Sequence, residues 1–286
     1  GLTSRNTNYN ITQFYKGAIG QDVANEKILG GAQDNNSLLM NNATAGINSA
    51  DVVQGGDGAY CFIDRDNEYM VTSSQNGNFY RANYTTGNLD ASISGGSVGG
   101  QFINPAALDS ANDILYMDGT TATPTYQILR YSNLDATPSA GVALSNGLLV
   151  RNPTAFKTST FTTTTLFVGT DDGKLLKLSN ADASPTWSDI TGPNFAGSVS
   201  CIELGATEND MYVTFYNYGV ISVFYSSDGG TTWSNKEGNL PDIPTRAILS
   251  NPLNADEVIL GTELGVWATN NFSDTVIKLP EIQSNN

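Results

Sequence analysis

Carboxylates are the reactive groups this 286-residue sequence holds in number: 28 Asp and Glu stand against 13 Lys and Arg, and there is no histidine. Without imidazole there is no Ser-His-Asp or Cys-His activation of a nucleophile and no His-based zinc site. Chemistry must then come from carboxylates, Tyr, Lys or Arg. Two carboxyls facing each other about 6.5–9.5 Å apart can serve as general acid and base of an inverting glycosidase. Asp34 or Asp57 set against Asp172 is the pairing the sequence offers for that role. Amides and carboxylates beside exposed rings also suit a sugar, whose hydroxyls pair with the former while its C–H faces stack on the latter.

Other chemistries find less support. The runs IDRDNE (63–68) and TDDG (170–173) are acidic. Neither reproduces the twelve-residue calcium loop with its terminal Glu, so solvated turns are expected there, with no metal site and no cofactor. The formal net charge of -15 repels nucleic acid and anionic membranes, which argues against both as partners. Apolar stretches such as 148–150 and 220–225 fall far short of the roughly 18 residues that span a bilayer. Few Lys and abundant Asn, Thr, Ser and Gly suggest a secreted or cell-surface protein.

These side chains must be carried by strands and turns. Period-2 apolar runs rich in Val, Ile, Tyr and Phe recur along the chain between Gly, Asn and Asp clusters, with no sustained 3.6 period. The clearest unit reads VSCIEL (199–204), MYVTFY (211–216), VISVFYSS (220–227) and TTWSNKE (231–237), four antiparallel strands with short connections. Gly173, Gly219 and Gly265 share a spacing of 46 residues, as do Trp187 and Trp233, and Asp182, Asp228 and Asp274. That period places modules at about 13–58, 59–101, 102–152, 153–198, 199–243 and 244–286, within a single domain. Four-stranded units without covering helices bury their faces by radial stacking, so the expected fold is an all-β propeller of about six blades. Residues 1–12 read as a link from a preceding blade, which makes seven blades if the chain is a fragment. Cys61 and Cys201 fall in the first strands of modules three apart, too distant for a bridge, and are expected free and buried.

Ser226, Asp228, Gly230, Thr232 and Trp233 spell S-x-D-x-G-x-T-W, which resembles the Asp-box, or BNR, repeat of sialidases, sortilin-like receptors and xyloglucanase-type propellers. NADASPTW (180–187), with Asp182 and Trp187, is a degraded copy in register, and Asp274 alone marks a third. Chemically the box is a turn: its Asp accepts backbone N–H groups, its Gly takes a positive φ and its Trp covers the apolar side. The resemblance implies structural residues joining strands three and four, opposite the usual binding face. LGGAQDNN (29–36), GGDG (55–58) and SSQNGNFYR (73–81) are similar to signatures of large secreted Bacteroidetes propeller proteins, many exported by a type IX route. Sialidases of this fold carry an Arg triad and an R-I-P element, whereas this chain has six Arg and no R-I-P.

In a propeller the two-to-three turns and the blade connections share the usual binding face. The turns contribute Gln33, Asp34, Asn35, Gln75, Asn76, Asp171, Asp172, Asn217, Tyr218 and Glu263; the connections add Asp57, Asn194, Phe195 and Asp242. This is an acidic rim with few bases. Three readings follow: a non-catalytic module binding a glycan or protein there, a glycoside hydrolase of xyloglucanase type using paired carboxylates, and a structural spacer among further domains of a longer chain. Ordinary turn chemistry also selects Asn, Asp and Gly.

Overall fold

The computed structural model describes residues 12–46, 48–94, 99–121 and 125–272. Residues 1–11 of the expected link and the landmark Asp274 lie outside the described residues. The fold is all-β, with no helix among the described residues, and consists of antiparallel propeller blades in chain order. The first sheet holds β1 (Phe14–Ile19), β2 (Ile28–Ala32), β3 (Ser37–Met40) and β4 (Asp51–Gln54). The second holds β5 (Phe62–Ile63), β6 (Tyr69–Ser74), β7 (Asn78–Asn83) and β8 (Leu89–Ser92). The third holds β9 (Ala106–Asp109), β10 (Ile114–Asp118), β11 (Ile128–Tyr131) and β12 (Val142–Leu144). The fourth holds β13 (Pro153–Thr158), β14 (Leu166–Thr170), β15 (Leu175–Ser179) and β16 (Thr186–Asp189). The fifth holds β17 (Val199–Leu204), β18 (Met211–Phe215), β19 (Val223–Ser226) and β20 (Ser234–Asn235). The sixth shows three strands among the described residues, β21 (Thr245–Asn251), β22 (Asn254–Thr262) and β23 (Gly265–Thr269).

The chain forms two compact units. One comprises residues 1–104 with 133–140, the other 105–132 with 141–286. The first therefore carries sheets one and two, the second sheets three to six.

Second strands show why these sequences stack. YMVTSS, ILYMD, LFVGT and MYVTF are buried along their whole length. A strand covered on both faces needs a continuous run of buried side chains, where a half-covered one would alternate. Between sheets four and five, Phe167 and Leu175 pack on Ile202, Val213 and Phe224; between five and six, Tyr212 and Val223 pack on Ile248, Val258 and Leu260. In the first unit Leu29 and Leu39 meet Cys61, Met70 and Ala82.

Polar bonds repeat with the same period. Thr154 Oγ1 donates to the Val199 carbonyl at 2.7 Å, and Ser200 Oγ, 46 residues further on, donates to that of Thr245 at 2.5 Å. The two-to-three turns need the left-handed region, and Gly173, Gly219 and Gly265 supply it at φ 93°, 72° and 109°. In the first sheet Asp34 and Asn36 take that conformation instead, at φ 58° and 70°.

Both cysteines are free. Cys61 is buried, and desolvation pushes its thiol up to about 12. Cys201 departs from the expectation of burial. It is half-buried, packed against the core between sheets five and six, while Val199 and Ile202 on the same strand are buried.

Candidate functional site

Within the first unit, the residues expected to form a binding surface hold one another. Asp57 accepts the backbone N–H of Asp34 at 2.9 Å, and its own N–H donates to Gln75 Oε1 at 3.2 Å. Asn35 Nδ2 donates to the Gln33 carbonyl at 3.0 Å, and Gln33 Oε1 accepts the Tyr15 hydroxyl. Asn36 and Gly56 exchange two bonds, backbone N–H to carbonyl at 3.1 Å and backbone N–H to side-chain oxygen at 3.2 Å. The glycines of both signatures permit this closeness: a Cβ on Gly31 would lie 2.1 Å from the Ala59 carbonyl oxygen, and one on Gly58 2.2 Å from that of Asn36. Here the turn chemistry fastens the β2–β3 turn to the connection that follows β4. Gln33, Asp34 and Asn35 remain exposed on its outer side.

The second unit places Asp171, Asp172, Tyr218 and Glu263 on exposed turns, and the acids do not stand bare. Asp171 Oδ2 accepts Asn152 Nδ2 at 2.9 Å. Asp172 accepts the Thr170 hydroxyl at 2.6 Å and lies 3.6 Å from Arg151 Nε. Glu263 accepts the Tyr216 hydroxyl at 2.5 Å and Arg246 Nε at 2.8 Å, while the Arg246 guanidinium lies 3.7 Å over the Tyr216 ring. The bond from Tyr216 and the Arg246 charge hold the Glu263 carboxyl below its usual range. The same bond is the largest cause raising the Tyr216 phenol. Beside this group Tyr218 is 65% exposed. The rim of this unit is thus charge-paired, a correction to the reading that bases are nearly absent from it.

Tyr216, Arg246, Arg151 and Asn152 were not among the residues expected from sequence. Arg246 carried a signal: it occupies the repeat position of Thr154 and Ser200, where the small hydroxyl bonds the next sheet. A long cation there breaks the pattern and reaches the rim.

Two further carboxyls border the β18–β19 turn. Asp242 Oδ1 accepts the Gly219 N–H at 2.7 Å, and Glu237 Oε1 accepts that of Ser222 at 3.3 Å. Burial, with a smaller contribution from the Asp242 charge, raises the Glu237 carboxyl. Asp34 and Asp57 belong to the first unit and Asp172 to the second.

At 226–233 the S-x-D-x-G-x-T-W sequence closes the β19–β20 turn. Asp228 Oδ1 accepts the Thr232 N–H and the Ser226 hydroxyl, each at 2.8 Å, and Oδ2 accepts the Thr232 hydroxyl at 2.7 Å. Ser226 Oγ accepts the N–H groups of Asp228 at 3.2 Å and Gly230 at 2.9 Å. Gly230 has φ 90°, and Trp233 packs edge-on to Phe195 at 4.9 Å. At 180–187, Asp182 is exposed, while Arg130 donates to the carbonyls of Ala181 at 2.9 Å and Ala183 at 3.1 Å; Trp187 packs on the core between sheets three and four.

No protein-family model and no curated protein matches the chain. Solved structures match it in number, 1152 chains, so the architecture is widely used and narrows function little. One is the crystal structure of a GH74 enzyme from Niastella koreensis, 13% identical, with a TM-score of 0.70. The match covers 93% of this chain and 46% of that one, so the chain spans about half the length of that structure. At this identity the likeness shows the fold, a β-propeller. No helix of the described residues is long and apolar enough to cross a membrane.

Proposed function

We propose that the chain is a secreted or cell-surface propeller module that binds a neutral glycan at the Tyr216–Tyr218–Arg246–Glu263 group. The observation that carries this reading is Tyr218, an exposed ring set beside a hydrogen-bonded tyrosine, arginine and glutamate. A sugar's C–H face stacks on such a ring while its hydroxyls pair with the polar groups around it. The net charge of -15 disfavours an anionic polymer and leaves a neutral one. The GH74 label of a structural neighbour, a glycoside hydrolase family, is consistent with carbohydrate as the ligand class. The Asp-box resemblance at 226–233 and the signatures at 29–36 and 55–58 support placing it among secreted propellers, with further domains in a longer polypeptide.

A second reading, hydrolysis, is favoured by one observation. Glu237 is a partly buried carboxyl with a raised pKa beside Asp242, which suits a general acid and a general base. A glycan array and a reducing-sugar assay on plant and algal polysaccharides test both. Binding without sugar release supports the module. Release that Glu237→Gln abolishes would establish the hydrolase in its place, and silence in both assays would leave a structural spacer.

A further inference from the structure

In sheets four, five and six the strand register defines equivalent rows on the face toward the next sheet. One row reads Ala155, Gly169, Leu175 in sheet four, Cys201, Thr214, Val223 in sheet five, and Ala247, Gly261, Val266 in sheet six. The adjacent row reads Lys157, Phe167, Lys177, then Glu203, Tyr212, Tyr225, then Leu249, Ile259, Ala268. Phe167, Leu175, Tyr212, Thr214 and Val223 are all fully buried under the following sheet. On sheet six the same rows are open: Leu249 is 60% exposed, Ile259 44% and Val266 43%. A hollow of about 510 Å³ lies on this face, lined in part by Leu249, Ile259 and Ala268. The burial of β22 accordingly alternates over much of its length, in contrast to the fully buried second strands of sheets two to five.

A glycine shared with sheet four points the same way. Gly169 lies hard against the next sheet, since a Cβ there would sit 2.4 Å from Val199. Gly261 is its equivalent, yet a Cβ on Gly261 would meet nothing nearer than Ala247 at 3.7 Å, an ordinary contact. Sheet six shares this small residue with sheet four, whereas sheet five receives its neighbour with Thr214 at the same position.

We propose that this face is the seat of a further antiparallel sheet of the same repeat, contributed by polypeptide outside residues 1–286. Its chemistry is set by the two rows that already do this work. Ile202, Val213 and Phe224 cover sheet four, and Ile248, Leu260 and Trp267 cover sheet five. The incoming sheet presents an apolar row across its first three strands and a β-branched residue over Gly261. Exposed apolar area of this kind on a sheet is a site of association.

The test is maleimide labelling of Ile259→Cys, read by peptide mass at residue 259 so that Cys61 and Cys201 stay in place. It compares the 286-residue chain with the whole natural polypeptide, and Leu249→Cys serves if the first variant folds poorly. The expected result is prompt labelling of the 286-residue chain, slowed about tenfold or more in the whole polypeptide. Adding Gly261→Leu, whose Cβ makes only an ordinary contact with Ala247 in the isolated chain, should restore the fast rate in the whole polypeptide. Equal rates in the two proteins would overturn the proposal. So would slow labelling of the 286-residue chain together with a dimer in sedimentation, which would make a second copy the occupant.

Discussion

The turns at 180–187 and 226–233 occupy the same place in successive sheets, between third and fourth strands, and are closed by different means. The later one closes itself. Ser226, 2% exposed, gathers two backbone donors on its hydroxyl and donates its own hydrogen bond to Asp228, which binds Thr232 twice. The earlier one is closed from outside, by the Arg130 guanidinium of the preceding sheet on two of its carbonyls. Arg81 does the same in the first unit, donating to the carbonyls of Leu134 at 2.9 Å and of Ala136. A propeller turn can thus lose its local motif where a neighbour's cation supplies the missing bonds. The better-spelled motif marks the turn that lacks such help.

Substitutions can break this contrast in graded steps. The largest effect is expected from Ser226→Ala, which orphans the N–H of buried Gly230 and a side of Asp228; denaturant unfolding should show a loss of about 1–3 kcal/mol. Arg130→Ala should cost less, about 1 kcal/mol, since one of its two acceptors is solvent-exposed. Asp228→Asn should be milder still and dependent on pH. Hydrogen bonds from Thr232, first, and Ser226 hold the Asp228 carboxyl below its ordinary value. Its contribution is then present above the unfolded pKa of about 3.9 and is lost as pH falls through the lower folded value. Melting curves of wild type and Asp228→Asn should differ at neutral pH and converge in acid. The smallest effect belongs to Asp182→Ala, which should leave the melting temperature unchanged; a loss matching that of Ser226→Ala would erase the distinction between the two turns.

Much of the fold was legible because it is periodic. The glycines at 173, 219 and 265 announced the register, and all three take the positive φ that makes glycine necessary there. Lys157, Glu203 and Leu249, spaced by the same 46 residues, occupy one equivalent row. What stayed hidden was held by partners without side-chain signatures. Arg130 bonds carbonyls 51 and 53 residues away, which no motif records. The turn positions of the candidate site were readable, but their pairing was not: Arg151 and Arg246 sit outside the turns and neutralise acids that looked bare.

The claim that Tyr218 anchors a neutral glycan is tested most directly by titrating a neutral oligosaccharide hit from the array into wild type and Tyr218→Ala. Loss of one stacking face should weaken Kd by about threefold to tenfold, equivalent to about 0.5–1.5 kcal/mol. Affinity should be the same at about 0.1 M and about 1 M salt, because no net charge is exchanged. Equal affinity of the two proteins, or binding that collapses in high salt, would contradict the account.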